Sequence, residues 1–324
     1  MRIGVDARKI SDYGIGTYIR GLLGALAAAG GDEIVAFAPA GTALPEGVGH
    51  IAVDAPHYSL RELLAVGRAA DRAQLDLFHA PHYVVPFTSV PVVVTIHDLI
   101  HLTQPPANPL APFYARAMLG RAVRQARRVL TVSEASKRAI VERLLVAPEQ
   151  VVVTPNGVDE RFWSAAAMPP LSLHKYFLFV GNDKPHKNLG TLVEAHARMK
   201  RDVELRITGS ANFVSDDELR ALYRGAVALV MPSADEGFGL PAAEAMACGT
   251  PVITSRAPAL VEITGDAALH VDAEPRALAA AMERLLDDEE LRAAMSLRGR
   301  ERARSFTWTR CAELTRAAYR DAIS

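Results

Sequence analysis

The stretch MPSADEGFGLPAAEAMACGTPVI, Met231 to Ile253, decides how the rest of the chain is read. It begins at the end of one apolar run, VALVM, and closes on another, PVIT, so a helix between them makes a unit of two parallel strands. Pro241 suits the first turn of that helix and Gly249 its C-terminal stop, which places it from Leu240 to Cys248. The N–H groups of its first turn then face the Gly237–Gly239 loop, and such an end attracts an anion. Glu236 stands just before the helix and Glu244 one turn inside it. Two carboxylates flanking free N–H groups can bind hydroxyls on either side of a phosphate, as a nucleotide sugar requires. The plainer reading is one helix-favouring acid and one solvated acid, and the segment alone leaves both open.

Working outward, the same alternation recurs. Strand-like runs at Arg2–Asp6, Glu33–Phe37, Gln74–His79, Val92–Ile96, Arg128–Val132 and Val151–Thr154 alternate with helical patterns at Gly16–Ala28, Ser59–Arg72, Leu110–Ala126 and Glu134–Leu145. TPNGVDERFWSAAAMPP, Thr154 to Pro170, interrupts them with Asn-Gly, Pro-Pro and no period. A second series opens at Tyr176 with YFLFVG. It continues through a helix at Leu189–Met199, the strand VELRITG, a helix at Asp217–Arg224, the opening stretch itself, and helices at Arg276–Leu286, Glu290–Arg304 and Trp308–Ala322. The expectation is an α/β chain of two Rossmann-like domains, residues 1–155 and 171–304, joined by a linker at 156–170. The last helix, within 305–324, is expected to cross back to the first domain. A single barrel is the alternative, and the mid-chain break argues against it.

A chain of 324 residues is too long for one small binding module. Its 36 basic and 37 acidic side chains leave a formal charge of -1, so no nucleic-acid partner is expected. Two cysteines, Cys248 and Cys311, make neither a disulfide framework nor a Cys-rich metal site. The opening MRIGVDARKI has no apolar signal core, and the apolar run Leu22–Ala29 is far short of the ~20 residues that span a bilayer. The expected location is cytoplasmic. Arg121, Arg124 and Arg128, at helical spacing, read first as a solvated face and second as a contact for anionic lipid at the inner face of the membrane. Lysine is scarce, six residues against thirty arginines, yet Lys184 and Lys187 stand three apart.

Other candidates are weaker alone. Gly14 and Gly16 sit where a loop turns into a helix N-terminus and suit close approach of a phosphate or acceptor, or simply a loop turn. As a dinucleotide fingerprint the segment fails, because Ile19 occupies the third glycine position and EIVAFAPA does not end in an acid. His79, His82, His97 and His101 gather near two strand ends, but neither an HExxH nor a DxD pattern occurs, so no metal is expected. His79, His82 and His101 read as structural, Ser133 as a helix cap with Glu134 beside it, and Cys248 as a small packed residue.

EGFGLPAAE followed by ACGTPVI resembles the paired-glutamate signature of the retaining glycosyltransferases of the GT-B fold, the glycosyltransferase 4 family. GIGTY, VTIHD, RVLTVSEASK, VTPNGVD and FVGNDKPHKNL are similar to segments of the same family in the same order. The resemblance implies two Rossmann-like domains whose parallel sheets face across a cleft, an acceptor-binding first half and a donor-binding second half. It implies that Glu244 holds the nucleotide ribose, that Glu236 contacts the transferred sugar, and that backbone N–H groups from Phe238 through Gly239 to Leu240 meet sugar and diphosphate. Lys187 would bind the diphosphate leaving group, and His97 would hydrogen-bond the donor sugar.

The implied reaction moves a hexosyl group from a nucleotide diphosphate sugar to a hydroxyl of a glycan or glycolipid acceptor, with retention and without metal or other cofactor. KPHKNL and HDLIHL resemble mannosyltransferases of surface-polysaccharide assembly, which implies GDP-mannose as donor. Two departures stand out. Asn182 occupies a position where the family often has an arginine, leaving either Lys184 as the compensating cation or one cation with the helix termini. The connection SANFVSD, 210–216, is shorter than the helix and strand the family normally carries there. An epimerase, a phosphorylase-like enzyme or a catalytically silent sugar-binding scaffold remain as alternatives.

Overall fold

The computed structural model describes residues 1–55, 59–103, 111–163, 175–209 and 214–324. Leu110 at the start of an expected helix, residues 164–170 of the expected linker and 210–213 of the SANFVSD connection lie outside them. The chain divides into two compact units, one of Met1–Gly157 with Trp308–Ser324, the other of Val158–Thr307. Val158 already belongs to the second unit, where its N–H donates to the carbonyl of Phe306.

The first unit runs β1 (Arg2–Asp6), α1 (Tyr13–Ala29), β2 (Glu33–Ala38), β3 (Gly49–Ala52), α2 (Leu60–Arg72), β4 (Leu77–Ala80), β5 (Val92–Thr95), α3 (Ile100–Thr103), α4 (Ala111–Gln125), β6 (Arg128–Thr131), α5 (Glu134–Leu144) and β7 (Val151–Val153). All seven strands are parallel, in the order β3-β2-β1-β4-β5-β6-β7. β4 and β5 are buried on both faces, which is why LFHA and VVVT read as unbroken runs rather than alternating ones. β3 escapes sequence reading because GHIA has no apolar run and lies at the sheet edge, mostly exposed. Ser59 and Ser133 cap α2 and α5, each accepting the N–H three residues on, from Glu62 and Ser136.

The second unit runs β8 (Tyr176–Val180), α6 (Leu189–Arg198), β9 (Glu204–Thr208), α7 (Asp216–Gly225), β10 (Ala228–Met231), α8 (Leu240–Cys248), β11 (Val252–Thr254), α9 (Pro258–Thr264), β12 (Ala268–His270), α10 (Pro275–Asp287) and α11 (Glu289–Ala303). Its five strands, again parallel, are ordered β12-β11-β10-β8-β9, so β9 is an edge strand and no further strand lies beyond it among the described residues. Phe177, Phe179, Leu192, Val230, Ile253 and Leu278 centre its core.

The final helix, α12 (Trp308–Ile323), packs on α1 in the first unit. Gly21 makes that contact possible: a Cβ there would stand 2.1 Å from Trp308 Cε2. Gly21→Ala should therefore overpack the α1–α12 seam and cost about 1–3 kcal/mol, read from the urea midpoint. A neutral result would show that Trp308 can move aside. Among the described residues no helix is long and apolar enough to cross a membrane.

In open parallel sheets ligands collect outside the carboxyl ends of the strands, where the strand order reverses. The reversal falls between β1 and β4 in the first sheet and between β8 and β10 in the second. Those two places are where a ligand site is expected.

Candidate active site

In the second unit the segments leaving β8 and β10 are tied to each other. The N–H of Ala234 donates to the His186 carbonyl at 2.7 Å, and Asn188 Nδ2 donates to the Pro232 carbonyl at 3.1 Å. A short turn at Pro185–Lys187, ended by Asn188 in the left-handed region, aims Lys187 across the gap. Its Nζ lies 2.6 Å from Glu236 Oε1, with only 14% and 9% of the two side chains exposed. An ion pair so poorly hydrated keeps an ammonium at a fixed point.

α8 starts immediately beyond. Gly239 has φ +94°, and a Cβ there would also stand 2.5 Å from Leu260 Cδ2, so both backbone conformation and packing demand glycine. Pro241 lies in the first turn and Gly249, φ +80°, ends the helix. Pro241 has no N–H, and Ala242 and Ala243 donate to the Gly239 carbonyl at 2.9 and 3.3 Å, so the N–H groups that helix geometry leaves for a ligand here are those of Gly239 and Leu240. The ring of Phe238 is buried against Phe306, so the part of Phe238 that remains for a ligand is its backbone.

Glu244, on α8, sits apart from the Lys187–Glu236 pair in its bonding. Its Oε2 accepts the Tyr223 hydroxyl of α7 at 2.9 Å. Burial pushes the Glu244 pKa up to about 7; the Tyr223 hydrogen bond opposes the rise, and the charges of Asp216 and Asp159 add to it. Tyr223 carries no sequence signal, because an aromatic on an amphipathic helix reads as core. Asn182 Oδ1 accepts the Lys184 N–H at 3.3 Å, while the Lys184 side chain is exposed and forms no ion pair among the described residues. The structure thus brings Lys187 to Glu236 and leaves Lys184 outside.

His97 belongs to the first unit, just after β5. Its Nε2 lies 3.1 Å from the Pro81 carbonyl, its own carbonyl accepts the Ser136 hydroxyl at 3.0 Å, and the Tyr18 ring meets it edge-on at 4.7 Å. Burial holds its pKa below the ordinary histidine value, against the Asp98 charge and the Pro81 hydrogen bond. His79 is fully buried, with Nε2 2.7 Å from Thr95 Oγ1 and Nδ1 2.7 Å from the Tyr319 hydroxyl. That burial, helped by the charge of His97, pushes its pKa down to about 3, a structural histidine held neutral. Gly14 and Gly16 lie in the first turn of α1. A Cβ on Gly16 would stand 2.5 Å from the Ile10 carbonyl oxygen, whereas Gly14 has open space around it. Gly16 thus has a packing reason to be glycine, and Gly14 has none among the described residues.

Of the three arginines, Arg121 donates to the Val85 carbonyl and covers Phe87, and Arg128 pairs with Asp321; only Arg124 stands exposed. They do not form one open basic stripe. Cys248 is buried and its thiol pKa is pushed up to about 12 by that burial, which makes it a poor nucleophile. Among the described residues no group of three or more metal-ligating side chains occurs.

Two family models match the chain: "Glycosyltransferase Family 4" over residues 13–162 and "Glycosyl transferases group 1" over residues 208–302. Among curated relatives, O-antigen chain mannosyltransferase B of Escherichia coli is 28% identical over 281 residues, 75% of this chain and 74% of that protein. MMP alpha-(1->4)-mannosyltransferase of Mycolicibacterium hassiacum is 35% identical over 236 residues, 64% of this chain, and the match spans only 57% of that protein. Among solved structures, sucrose-phosphate synthase from Thermosynechococcus elongatus superposes with a TM-score of 0.83 at 22% identity, covering 99% of this chain and 98% of that one. The paired parallel sheets, the Lys187–Glu236 pair before α8 and these matches agree: the chain belongs to the group 1, family 4 glycosyltransferases and has their GT-B architecture.

Proposed function

We propose that the protein moves a mannosyl group from GDP-mannose to a hydroxyl of a glycan or glycolipid acceptor, with retention at the anomeric carbon and without a metal. The observation that carries this reading is the half-buried Lys187–Glu236 pair, placed at the strand-order reversal directly before the N-terminus of α8. The bond from the anomeric carbon to the diphosphate oxygen breaks as the bond to the acceptor oxygen forms. The acceptor proton passes to the departing phosphate oxygen. Negative charge develops on that phosphate, and an ammonium already fixed at Lys187 stabilises it, with the N-terminus of α8, at Gly239 and Leu240, adding to the field. Glu236, which holds the ammonium, is left to meet the transferred sugar, and Glu244 takes the ribose hydroxyls. The mannosyl choice draws on the mannosyltransferases among the relatives. Asn182 in place of a second cation puts more of the charge on Lys187.

Hydrolysis of GDP-, UDP- and ADP-sugars by the full chain, with products followed by proton NMR, tests the reading. GDP-mannose should turn over fastest, and α-mannose should be the anomer first released. A preference for another nucleotide, or first release of the β anomer, would overturn donor or stereochemistry. Because no DxD pattern is available to bridge a divalent cation to the diphosphate, turnover should survive excess EDTA. Loss with EDTA and recovery with manganese would sink the metal-free account.

The Glu244 role has a pH signature. Ribose hydroxyls donate to an ionised carboxylate, and Glu244 ionises near 7. Donor kcat/KM should therefore fall by about tenfold per unit as pH drops below 7, and Glu244→Gln should abolish that inflection. The linkage runs the other way for stability. With a folded pKa raised from 4.5 to about 7, the folded state holds a proton the unfolded state has lost, so this contribution is present below 4.5 and is lost as pH rises through 7. Ligand-free Glu244→Gln should melt above the parent at pH 8 and match it more closely at pH 5.

A further inference from the structure

The first unit carries a second built site, at its own strand-order reversal, which neither the motifs nor the relatives assign. Asp6 ends β1, Arg8 and Lys9 follow it, and Pro81, His82 and Val84 follow β4 on the other side of the reversal. Together with Ile15 and Ile19 of α1 and Glu62 of α2 they line a narrow pocket with room for a single water-sized group. Arg8 forms its inner wall at 9% exposure. Its Nε and Nη2 donate to Asp6 Oδ1 and Oδ2 at 2.9 and 2.6 Å, and Nη2 also donates to Glu62 Oε1 at 2.7 Å. The remaining nitrogen, Nη1, is buried and has no hydrogen-bond partner. A buried guanidinium nitrogen left unbonded is costly, and its cost is removed by a ligand that supplies an oxygen.

The chemistry of the walls selects which oxygen. Two carboxylates already surround the one guanidinium, and Lys9 Nζ is directed to Asp12 at 3.3 Å, so a phosphate or carboxylate would add a third anion to the cluster. A hydroxyl can instead accept from Arg8 Nη1 and donate to Glu62 Oε1, which accepts from Nη2 on the edge that Nη1 and Nη2 share. Ile15, Ile19, Pro81 and Val84 offer apolar walls for the carbon that bears it. We infer that this pocket receives one neutral hydroxyl of the acceptor sugar, with Arg8 as the residue that selects for it and against acidic sugars. The inference rests on the reading that the first unit takes the acceptor.

The test uses the full chain with GDP present and saturation-transfer NMR on neutral methyl α-hexosides of the manno, gluco and galacto series, with mannose 6-phosphate and mannuronate as acidic probes. At least one neutral hexoside should receive saturation, and the acidic probes should bind about tenfold more weakly or not at all. Arg8→Lys should lose the neutral signal about tenfold. Because that change also disturbs a buried ion cluster, Ile15→Phe provides the second variant: it fills the pocket, leaves Asp6, Arg8 and Glu62 in place, and should lose the same signal. Retention of the signal in Ile15→Phe, tighter binding of the acidic probes, or no saturation of any neutral hexoside would overturn the assignment. Hydrolysis of GDP-mannose by the parent is scored separately: hydrolysis without hexoside saturation rejects the pocket and keeps the transferase, and saturation without hydrolysis of any nucleotide sugar does the reverse.

Discussion

Lys187→Ala is expected to lower kcat for donor turnover by about two to three orders of magnitude, which is ~2.7–4 kcal/mol of lost transition-state stabilisation. The ammonium is pinned 2.6 Å from Glu236 in a place where little water remains to screen it, so no solvent reorganisation is needed when charge appears on the leaving phosphate. Donor KM should rise much less, since in the proposed complex the α8 terminus also meets the diphosphate and Glu244 holds the ribose. Single-turnover rates and donor titrations on the same preparation separate the two effects. Equal losses in affinity and rate would recast Lys187 as a binding residue, and an unchanged kcat would remove it from the chemistry.

The largest loss of stability should come from Arg8→Ala. Arg8 is held between Asp6 and Glu62, whose side chains are 12% and 4% exposed. Burial works against the Arg8 charge, and the hydrogen bonds and charges of the two carboxylates outweigh it, keeping its pKa above the ordinary guanidinium value. Removing the guanidinium leaves two buried carboxylates facing each other, which should cost about 3–5 kcal/mol in urea unfolding. Replacing Asp6, Arg8 and Glu62 together by apolar residues of similar volume should recover most of that loss, because the desolvation of all three charges disappears with them. A single-variant cost below about 1 kcal/mol would mean that water reaches the cluster.

Sequence reading found the helices well because their signals are local. Ser133, Ser215 with Glu218, and Asp288 each cap the helix that follows them, and Gly249 ends α8, so termini of these elements follow from neighbouring residues. The alternation of apolar runs with amphipathic segments likewise leaves little freedom beyond two parallel α/β sheets, since right-handed crossovers are nearly obligatory. β3, α9 and β12 were not legible, because short or edge elements take their definition from partners distant in sequence.

What the sequence determined by itself is the fold class and the candidate residues: Glu236, the α8 N-terminus and Lys187 stand in motifs whose residue types and spacing suit an anion beside a sugar. What only tertiary structure decided is which of these groups meet. Lys187 rather than Lys184 reaches Glu236, because the β8 and β10 loops are bonded through Ala234 and Asn188. Glu244 pairs with Tyr223, about 70 Å of extended chain away in sequence terms but adjacent once α7 packs on α8. Arg8, one of thirty arginines, becomes singular only when β1, α2 and the turn after β4 enclose it. Pairing and burial depend on contacts between residues far apart in the chain, and no local pattern records them.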